Sequence, residues 1–253
     1  MKDRRELFDL TGRVAVVTGG SRGLGEEIVR AYAAAGADVM IVSRKLDRCV
    51  ALAEEVAEQT GRRAVPYACH VADWNSLDGL VDEAYRIFGK VDILVNNAGM
   101  SPLYDRVVDV DESLWEKVVG VNMKGPFRLT SLIGTRMAEG DGGSIINVSS
   151  GGSIRPRPNI IPYAASKAGL NALTIGFAHA FGPTVRVNCI MPGPFLTDIS
   201  KAWDMESVNV RQQGYALRRC GEPSEIVGAA LYFASDASSF TTGATLQVDG
   251  GMP

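Results

Sequence analysis

The apolar and polar positions of this chain alternate between two periods from an early glycine-rich turn almost to its end. Short β-branched runs, apolar on both faces, are each followed by a longer stretch with apolar positions at helical spacing. The first run lies within Arg13 to Thr18, stops in glycines and passes into a helical pattern over about Glu26 to Ala35. The order continues with strand Asp38 to Val42, helix Leu46 to Gln59, strand Ala64 to Ala68, helix Ser76 to Phe88 and strand Val91 to Val95. A long helix over about Ser113 to Met137, strand Ser144 to Val148, helix Pro162 to Phe181 and strand Val185 to Ile190 complete the pattern. Strands without a polar face, separated by helices, predict an α/β fold, a doubly wound parallel sheet of about seven strands with helices on both faces. No repeat, low-complexity segment or linker interrupts it, so residues 1–253 are expected to form a single domain.

Composition narrows the function classes. The chain has 253 residues, 46% hydrophobic, and a net charge of −3 with acidic and basic residues interspersed, which offers no continuous positive surface to a nucleic acid. The four cysteines, Cys49, Cys69, Cys189 and Cys220, form no C-x-x-C pair, and the two histidines, His70 and His179, complete no metal-ligand spacing. The charged N-terminus carries no apolar leader, and no segment reaches the ~18 apolar residues of a membrane span. A cytoplasmic protein with no membrane and no metal is expected.

In such sheets ligands bind beyond the carboxyl ends of the strands, so the residues just after each run are the ones to read. After the first come Gly19, Gly23 and Gly25, spaced G-x-x-x-G-x-G. Glycines there permit φ > 0 and close approach, while the first N–H groups of the helix favour an anion such as a phosphate. Later runs deliver Asn96-Asn97-Ala98-Gly99, Ser149-Ser150-Gly151-Gly152 and Pro192-Gly193-Pro194. The helix Pro162 to Phe181 is unusual. Lys167 is its one clear charge, and small or apolar residues surround it almost entirely, where a helix on a sheet should keep a polar outer face. Its outer face is therefore expected to meet another subunit.

Tyr163 and Lys167 stand four apart in that helix and share a face. A free phenol has a pKa of about 10, and a neighbouring ammonium favours the phenolate, so the pair makes a general acid/base. Pairs of this spacing are common on helix surfaces; this one stands in the least charged helix of the chain. Ser150 is either a turn serine or a hydrogen-bond donor to a substrate carbonyl. Asn122 sits inside a helix, where its amide competes for backbone groups, and is either a satisfied core amide or functional.

Taken together, Thr18-Gly19-x-x-x-Gly23-x-Gly25, Asn96-Asn97-Ala98-Gly99, Asn122, Ser150, Tyr163-x-x-x-Lys167 and Pro192-Gly193 resemble the short-chain dehydrogenase/reductase family, from about Leu10 to Gly251. Each motif alone is weak; the ordered set is specific. The resemblance implies a Rossmann-type fold in which Tyr163 exchanges a proton with the substrate oxygen while hydride moves to or from a nicotinamide. It further implies that Lys167 lowers the tyrosine pKa and bonds the nicotinamide ribose, that Ser150 holds the carbonyl and that Asn122 holds a water in a proton relay. Gly19, Ser21, Arg22, Gly23 and Leu24 would cover the pyrophosphate, Asn97, Ala98 and Gly99 the adenine ribose side, and Thr197, after Pro192 and Gly193, the carboxamide. A homotetramer is implied as well. One departure is visible: where the family places an aspartate toward the adenine, this chain reads Cys69-His70-Val71, and a neutral imidazole still accepts one hydrogen bond.

In dinucleotide folds an acidic residue about 20 positions beyond the glycines binds the adenosine 2′-hydroxyl. Here that place holds Ser43, followed by Arg44 and Lys45, with Arg22 in the turn, so NADP(H) is expected as the preferred cofactor and NAD(H) as the second. A solvated Arg44 beside Asp47 is the competing reading. Substrate contacts are expected from a variable segment of about 194–222, where Phe195, Leu196, Ile199, Trp203 and Met205 point to a partly apolar small molecule. Arg155 and Arg157 read first as a solvated loop and second as contacts for an anionic substrate. Three functions fit: an NADP(H)-dependent oxidoreductase interconverting a secondary alcohol and a ketone, a 3-oxoacyl-[acyl-carrier-protein] reductase, and a non-catalytic dinucleotide-sensing protein.

Overall fold

The run Val14–Thr18 (β1) is buried at every residue and pairs in parallel on both sides, with β2 (Asp38–Ser43) and with β4 (Ile93–Asn96). A strand so placed has no solvent face, which is why its apolar residues run on instead of alternating. The structure is a computed structural model that describes residues 6–198, 200 and 205–253, without the side chains of Met205 and Ser207. With β3 (Ala64–Ala68), β5 (Gly143–Val148), β6 (Val185–Pro192) and β7 (Thr245–Val248), one seven-stranded sheet forms in the order β3-β2-β1-β4-β5-β6-β7. Every neighbouring pair is parallel.

The helices are α1 (Gly23–Ala34), α2 (Leu46–Thr60), α3 (Ser76–Phe88), α4 (Glu112–Val119), α5 (Gly125–Glu139), α6 (Ile161–Phe181), α7 (Met205–Gln212) and α8 (Val227–Ala234). One face of the sheet is covered from α1, α2 and α8 by residues such as Ile28, Tyr32, Leu52 and Phe233. The other is covered from α3 and α5 by Leu77, Leu80, Leu129 and Ile133. Chain direction across the sheet reverses between β1 and β4, so the loops after these two strands diverge from a common crevice. The buried amides of Asn96 and Asn147 tie β4 and β5 to the second helical layer: Asn96 donates to Thr130 (3.0 Å) and to Asn147 (2.9 Å), and Asn147 to Thr174 on α6 (2.9 Å).

The predicted elements are present with two differences. The helix expected unbroken over Ser113 to Met137 is instead α4, a π-helical turn Gly120–Lys124 and α5, with the Gly125 amide reaching back to the Gly120 carbonyl. The backbone there is pressed against the loop after β3: a Cβ on Gly125 would collide with the Val71 carbonyl, and one on Gly120 would lie 3.1 Å from the Ala72 methyl. A wider turn accommodates that approach. The second difference lies beyond β6, where α7, α8 and β7 form from a stretch in which no helix or strand was read; β7 is an edge strand with three of its four residues exposed, so it lacks the apolar signature of the inner strands.

Candidate active site and nucleotide cradle

The glycine turn is held by the loop beside it. Gly19 and Gly23 have φ of 63° and 55°, the left-handed region that glycine enters without penalty. The Asn97 amide donates to the carbonyls of Thr18 (3.0 Å) and Gly19 (3.1 Å), and the Thr18 hydroxyl receives the N–H groups of Asn97 (3.1 Å) and Ala98 (3.2 Å). A Cβ on Gly19 would stand 2.9 Å from the Ala98 Cα, so the two loops touch backbone to backbone. On the far side the Ser21 hydroxyl donates to Ser43 (2.8 Å), and Gly20 N–H to the Val42 carbonyl (3.2 Å), which sets the turn against the end of β2. Arg22 and Arg44 are exposed at this end, and neither forms an ion pair among the described residues, Asp47 included. The Asn97 side chain is thus committed to shaping the turn.

A cleft of about 440 Å³ opens between the start of α1 and the segment after β6, lined by Arg22, Gly23, Glu26, Leu196, Thr197 and Asp198. Thr197 sits over the turn, its side chain 3.4 Å from where a Gly23 Cβ would be. Gly193 is packed against Asp249, where a Cβ would lie 2.7 Å from that residue's Cα, and its N–H donates to Val248 (2.9 Å). Pro192 ends β6 opposite Val248. At the other edge His70 is exposed and its Nδ1 accepts the Ala72 N–H (3.2 Å), while Val71 is buried. Ile199, Lys201, Trp203, Asp204 and the Met205 side chain, all expected around a substrate, lie outside the described residues.

Ser150, Tyr163, Lys167 and Asn122 converge. Ser150 and Tyr163 both flank Gly152, at which a Cβ would be 3.4 Å from the serine oxygen and 3.7 Å from Tyr163 Cε1. The Lys167 ammonium is 3% exposed and donates to the Val148 carbonyl (2.7 Å), 6.0 Å from the centre of the Tyr163 ring. Asn122 is fully buried; its Oδ1 accepts from Met100 N–H (3.0 Å) and its Nδ2 donates to the Met100 carbonyl (2.9 Å). A Cβ on Gly99 would be 3.2 Å from Asn122 Oδ1 and 3.6 Å from Lys167 Nζ, so Gly99 keeps the space before both groups open.

Burial dominates the electrostatics. It pushes the Lys167 ammonium down to about 8, with the Cys189 thiol acting weakly the other way. It also raises the Tyr163 phenol, against the hydrogen bond from Ser150 and the positive charge of Arg157, both of which favour the phenolate. The sequence pattern attached the lowering of Tyr163 to Lys167; in this structure the opposing influences come from Ser150 and Arg157. Arg157, read first as a residue of a solvated loop, is exposed just before the turn Pro158–Ile160 that enters α6, and its charge acts on Tyr163 from there.

Comparisons with known proteins bear on the family and the fold. A family model described as enoyl-(acyl carrier protein) reductase matches residues 19–253. The chain is 35% identical over 259 residues to the short chain dehydrogenase/reductase astE of Aspergillus oryzae, covering 100% of this chain and 99% of that one. It is 36% identical over 248 residues to the 3-oxoacyl-[acyl-carrier-protein] reductase FabG of Chlamydia trachomatis, covering 96% and 98%. Among solved structures, the L-sorbose reductase of Gluconobacter frateurii complexed with NADPH and L-sorbose superposes with a TM-score of 0.90 at 28% identity, covering 97% of this chain and 98% of that one.

The buried ammonium makes a prediction about stability. The folded state holds Lys167 near 8 and the unfolded chain near 10.5, so between those values the unfolded state binds more protons and stability rises with pH. Relative to Lys167→Met, the wild-type protein without ligands should gain up to ~1.4 kcal/mol per pH unit across that window. Urea unfolding of both proteins from pH 7.5 to 10.5 measures the difference, and a flat difference would show that the ammonium is not desolvated.

Proposed function

The chain belongs to the short-chain dehydrogenase/reductase family, and from that membership we propose that it is an NADP(H)-dependent oxidoreductase that interconverts a secondary alcohol and a ketone, with Tyr163 as general acid/base. The observation that carries the reading is the meeting of the Ser150 and Tyr163 side chains at Gly152 with the buried ammonium of Lys167 behind them. Two hydroxyl side chains placed in this way can both turn to one carbonyl oxygen. As that oxygen gains negative charge in reduction, Tyr163 gives it a proton and Ser150 donates a hydrogen bond; in alcohol oxidation Tyr163 takes the proton back. Lys167 supplies the positive charge that offsets the phenolate once the proton has left. Asn122 has both amide groups on Met100 and is assigned the positioning of that loop, with a relay water at its remaining sites.

The residues fit a dinucleotide. The left-handed glycines, the free N–H groups at the start of α1 and the glycine at 99 make a cradle that larger side chains would fill. Gly19, Ser21, Gly23 and Leu24 would hold the pyrophosphate, Ala98 and Gly99 the ribose side, His70 and Val71 the adenine, Tyr163 and Lys167 the nicotinamide ribose, and Pro192, Gly193 and Thr197 the carboxamide. When bound, the nicotinamide supplies or accepts the hydride. Ser43 with Arg22 and Arg44 would receive a 2′-phosphate, because the place is uncharged or basic where a 2′-hydroxyl reader would be acidic. Reduction of 3-oxoacyl thioesters is the second reading, supported by the likeness to the Chlamydia enzyme.

Tyr163→Phe keeps the ring and removes the proton donor, so turnover should fall ~10²- to 10⁴-fold with nucleotide binding retained. A variant holding half the wild-type rate in an NADPH-oxidation screen of ketones and acetoacetyl thioesters would exclude the role. Arg44→Ala should reduce the preference for NADPH over NADH by ~tenfold or more, since charge-assisted bonds contribute ~1.5–3 kcal/mol each; equal kcat/KM ratios in both proteins would remove Arg44 from phosphate recognition. We also propose a homotetramer assembled through the outer faces of α5 and α6. Sedimentation at micromolar concentration should show about four times the 27.0 kDa chain mass, and a monomer alone would contradict it.

A further inference from the structure

We propose that His70 reads the purine of the bound dinucleotide as a hydrogen-bond donor, so that the base site takes a 6-oxopurine as readily as adenine. The inference rests on the dinucleotide reading above and assigns the base specificity of that site. His70 follows the end of β3, and that strand end is tied to the place proposed for the adenosine ribose. Ala68 pairs with Ser43 in the sheet, Cys69 N–H donates to the Ser43 carbonyl (3.0 Å), and the Ser43 hydroxyl accepts from Ser21 in the glycine turn (2.8 Å). A nucleotide with its pyrophosphate on the turn and its ribose at Ser43 would therefore bring its base to the loop that begins at Cys69. Within residues 69–73 of that loop, Cys69 and Val71 are buried, Ala72 has no polar side-chain group, and the Asp73 carboxylate is held by the N–H (3.4 Å) and hydroxyl of Ser76 at the start of α3. His70 is exposed, and it is the side chain of this loop that can meet a base edge.

The fold decides which ring nitrogen is available. Nδ1 accepts Ala72 N–H (3.2 Å), the bond that an asparagine or aspartate oxygen makes to the amide two residues on in an Asx turn. The Asp73 N–H donates to the His70 carbonyl (2.8 Å) and closes the same turn. This loop is wedged against the π-helical turn: a Cβ on Gly125 would collide with the Val71 carbonyl, and one on Gly120 would lie 3.1 Å from the Ala72 methyl. The amide that Nδ1 serves is thus fixed in place. A neutral imidazole has one lone pair to accept with and one N–H to donate. With the lone pair of Nδ1 engaged by Ala72, the proton is on Nε2, which has no hydrogen-bond partner among the described residues. The one bond that a neutral imidazole accepts is therefore made inside the protein, and what His70 offers a ligand is a donor.

A donor selects differently from a carboxylate. Adenine presents a 6-amino donor beside the N1 acceptor, whereas hypoxanthine presents a 6-oxo acceptor beside N1–H. A carboxylate accepts from the adenine amino group and is repelled by the 6-oxygen. The Nε2–H group can donate to N1 of adenine, to the 6-oxygen of hypoxanthine or to N7 of either, so neither base leaves it unpaired.

Calorimetric titration with NADP⁺ and with its hypoxanthine analogue tests this in wild type, His70→Asn, His70→Asp and His70→Ala. Asparagine and aspartate have the same shape, and either can keep the bond from Ala72 N–H through one oxygen; asparagine then presents a donor and aspartate an acceptor. Wild type and His70→Asn should bind the two dinucleotides within about threefold of each other, while His70→Asp should favour NADP⁺ by about tenfold or more. His70→Ala should weaken both by about three- to tenfold without separating them. A wild type that favours NADP⁺ as strongly as the aspartate variant would overturn the inference, as would an asparagine variant that behaves like the aspartate one. So would an aspartate variant that does not separate the two dinucleotides, or an alanine variant that binds both as wild type does. Any of these results with NADP⁺ still bound leaves the dinucleotide reading standing. Binding of neither compound by wild type would overturn that reading and this inference with it. The titrations need no substrate, so the outcome is independent of ketone turnover.

Discussion

The site depends on one buried ammonium. Lys167 is placed where burial disfavours its charge, and it donates to a backbone carbonyl at the end of β5. Such a group persists only when its surroundings hold it in position. They do so from three directions: α6 carries it, β5 supplies the Val148 acceptor, and the π-helical turn brings Asn122 to its front. The ammonium has three protons and spends one on Val148. Because residue 99 is glycine, the space before the others stays open, which is where a ribose hydroxyl or a water is needed. The spacing of Tyr163 and Lys167 along the helix then fixes how far the phenol lies from that charge.

The glycine turn depends on a second constraint, contact between two loops that leave the sheet at its switch point. Five hydrogen bonds cross that contact: Asn97 donates to Thr18 twice and to Gly19 once, Ala98 N–H donates to the Thr18 hydroxyl, and that hydroxyl donates to the Val95 carbonyl. A Cβ at Gly19 or Gly25 would run into Asn97, so the glycines are required first by packing within the protein. The left-handed backbone of Gly19 and Gly23 then leaves N–H groups free for an anion. One set of residues thus serves shape and binding together, and its signature in sequence is correspondingly strong.

That distinction explains what could be read from the chain alone. Buried parallel strands and the helices between them have a pattern of their own, and the ends of inner strands fall where glycine, asparagine and serine cluster; the fold, the cradle and the four converging residues were legible for that reason. The interrupted helix was not, because Gly120 and Gly125 look like ordinary helix-weakening residues until the Val71–Ala72 loop is seen against them. Asn97 was placed on the nucleotide side of its loop, although its amide faces the turn. Edge strand β7, three of whose four residues are exposed, carried no inner-strand pattern.

The outer side of α6 completes the argument from packing. Its exposed side carries the small residues Ala165, Ala168, Ala172 and Gly176, bounded by the exposed Ile161 and Ile175, while the opposite row buries Ala164, Lys167, Leu170, Thr174 and Ala178. Small side chains allow close approach of another helix, and their exposure in an isolated chain leaves apolar surface uncovered. In the proposed tetramer this helix is packed on both sides. A helix so confined cannot tilt to relieve the burial of its own lysine, and the same confinement keeps the phenol one turn away aimed at the carbonyl site. Association is therefore placed to contribute to the geometry of proton transfer as well as to stability, through the one helix that carries Tyr163 and Lys167.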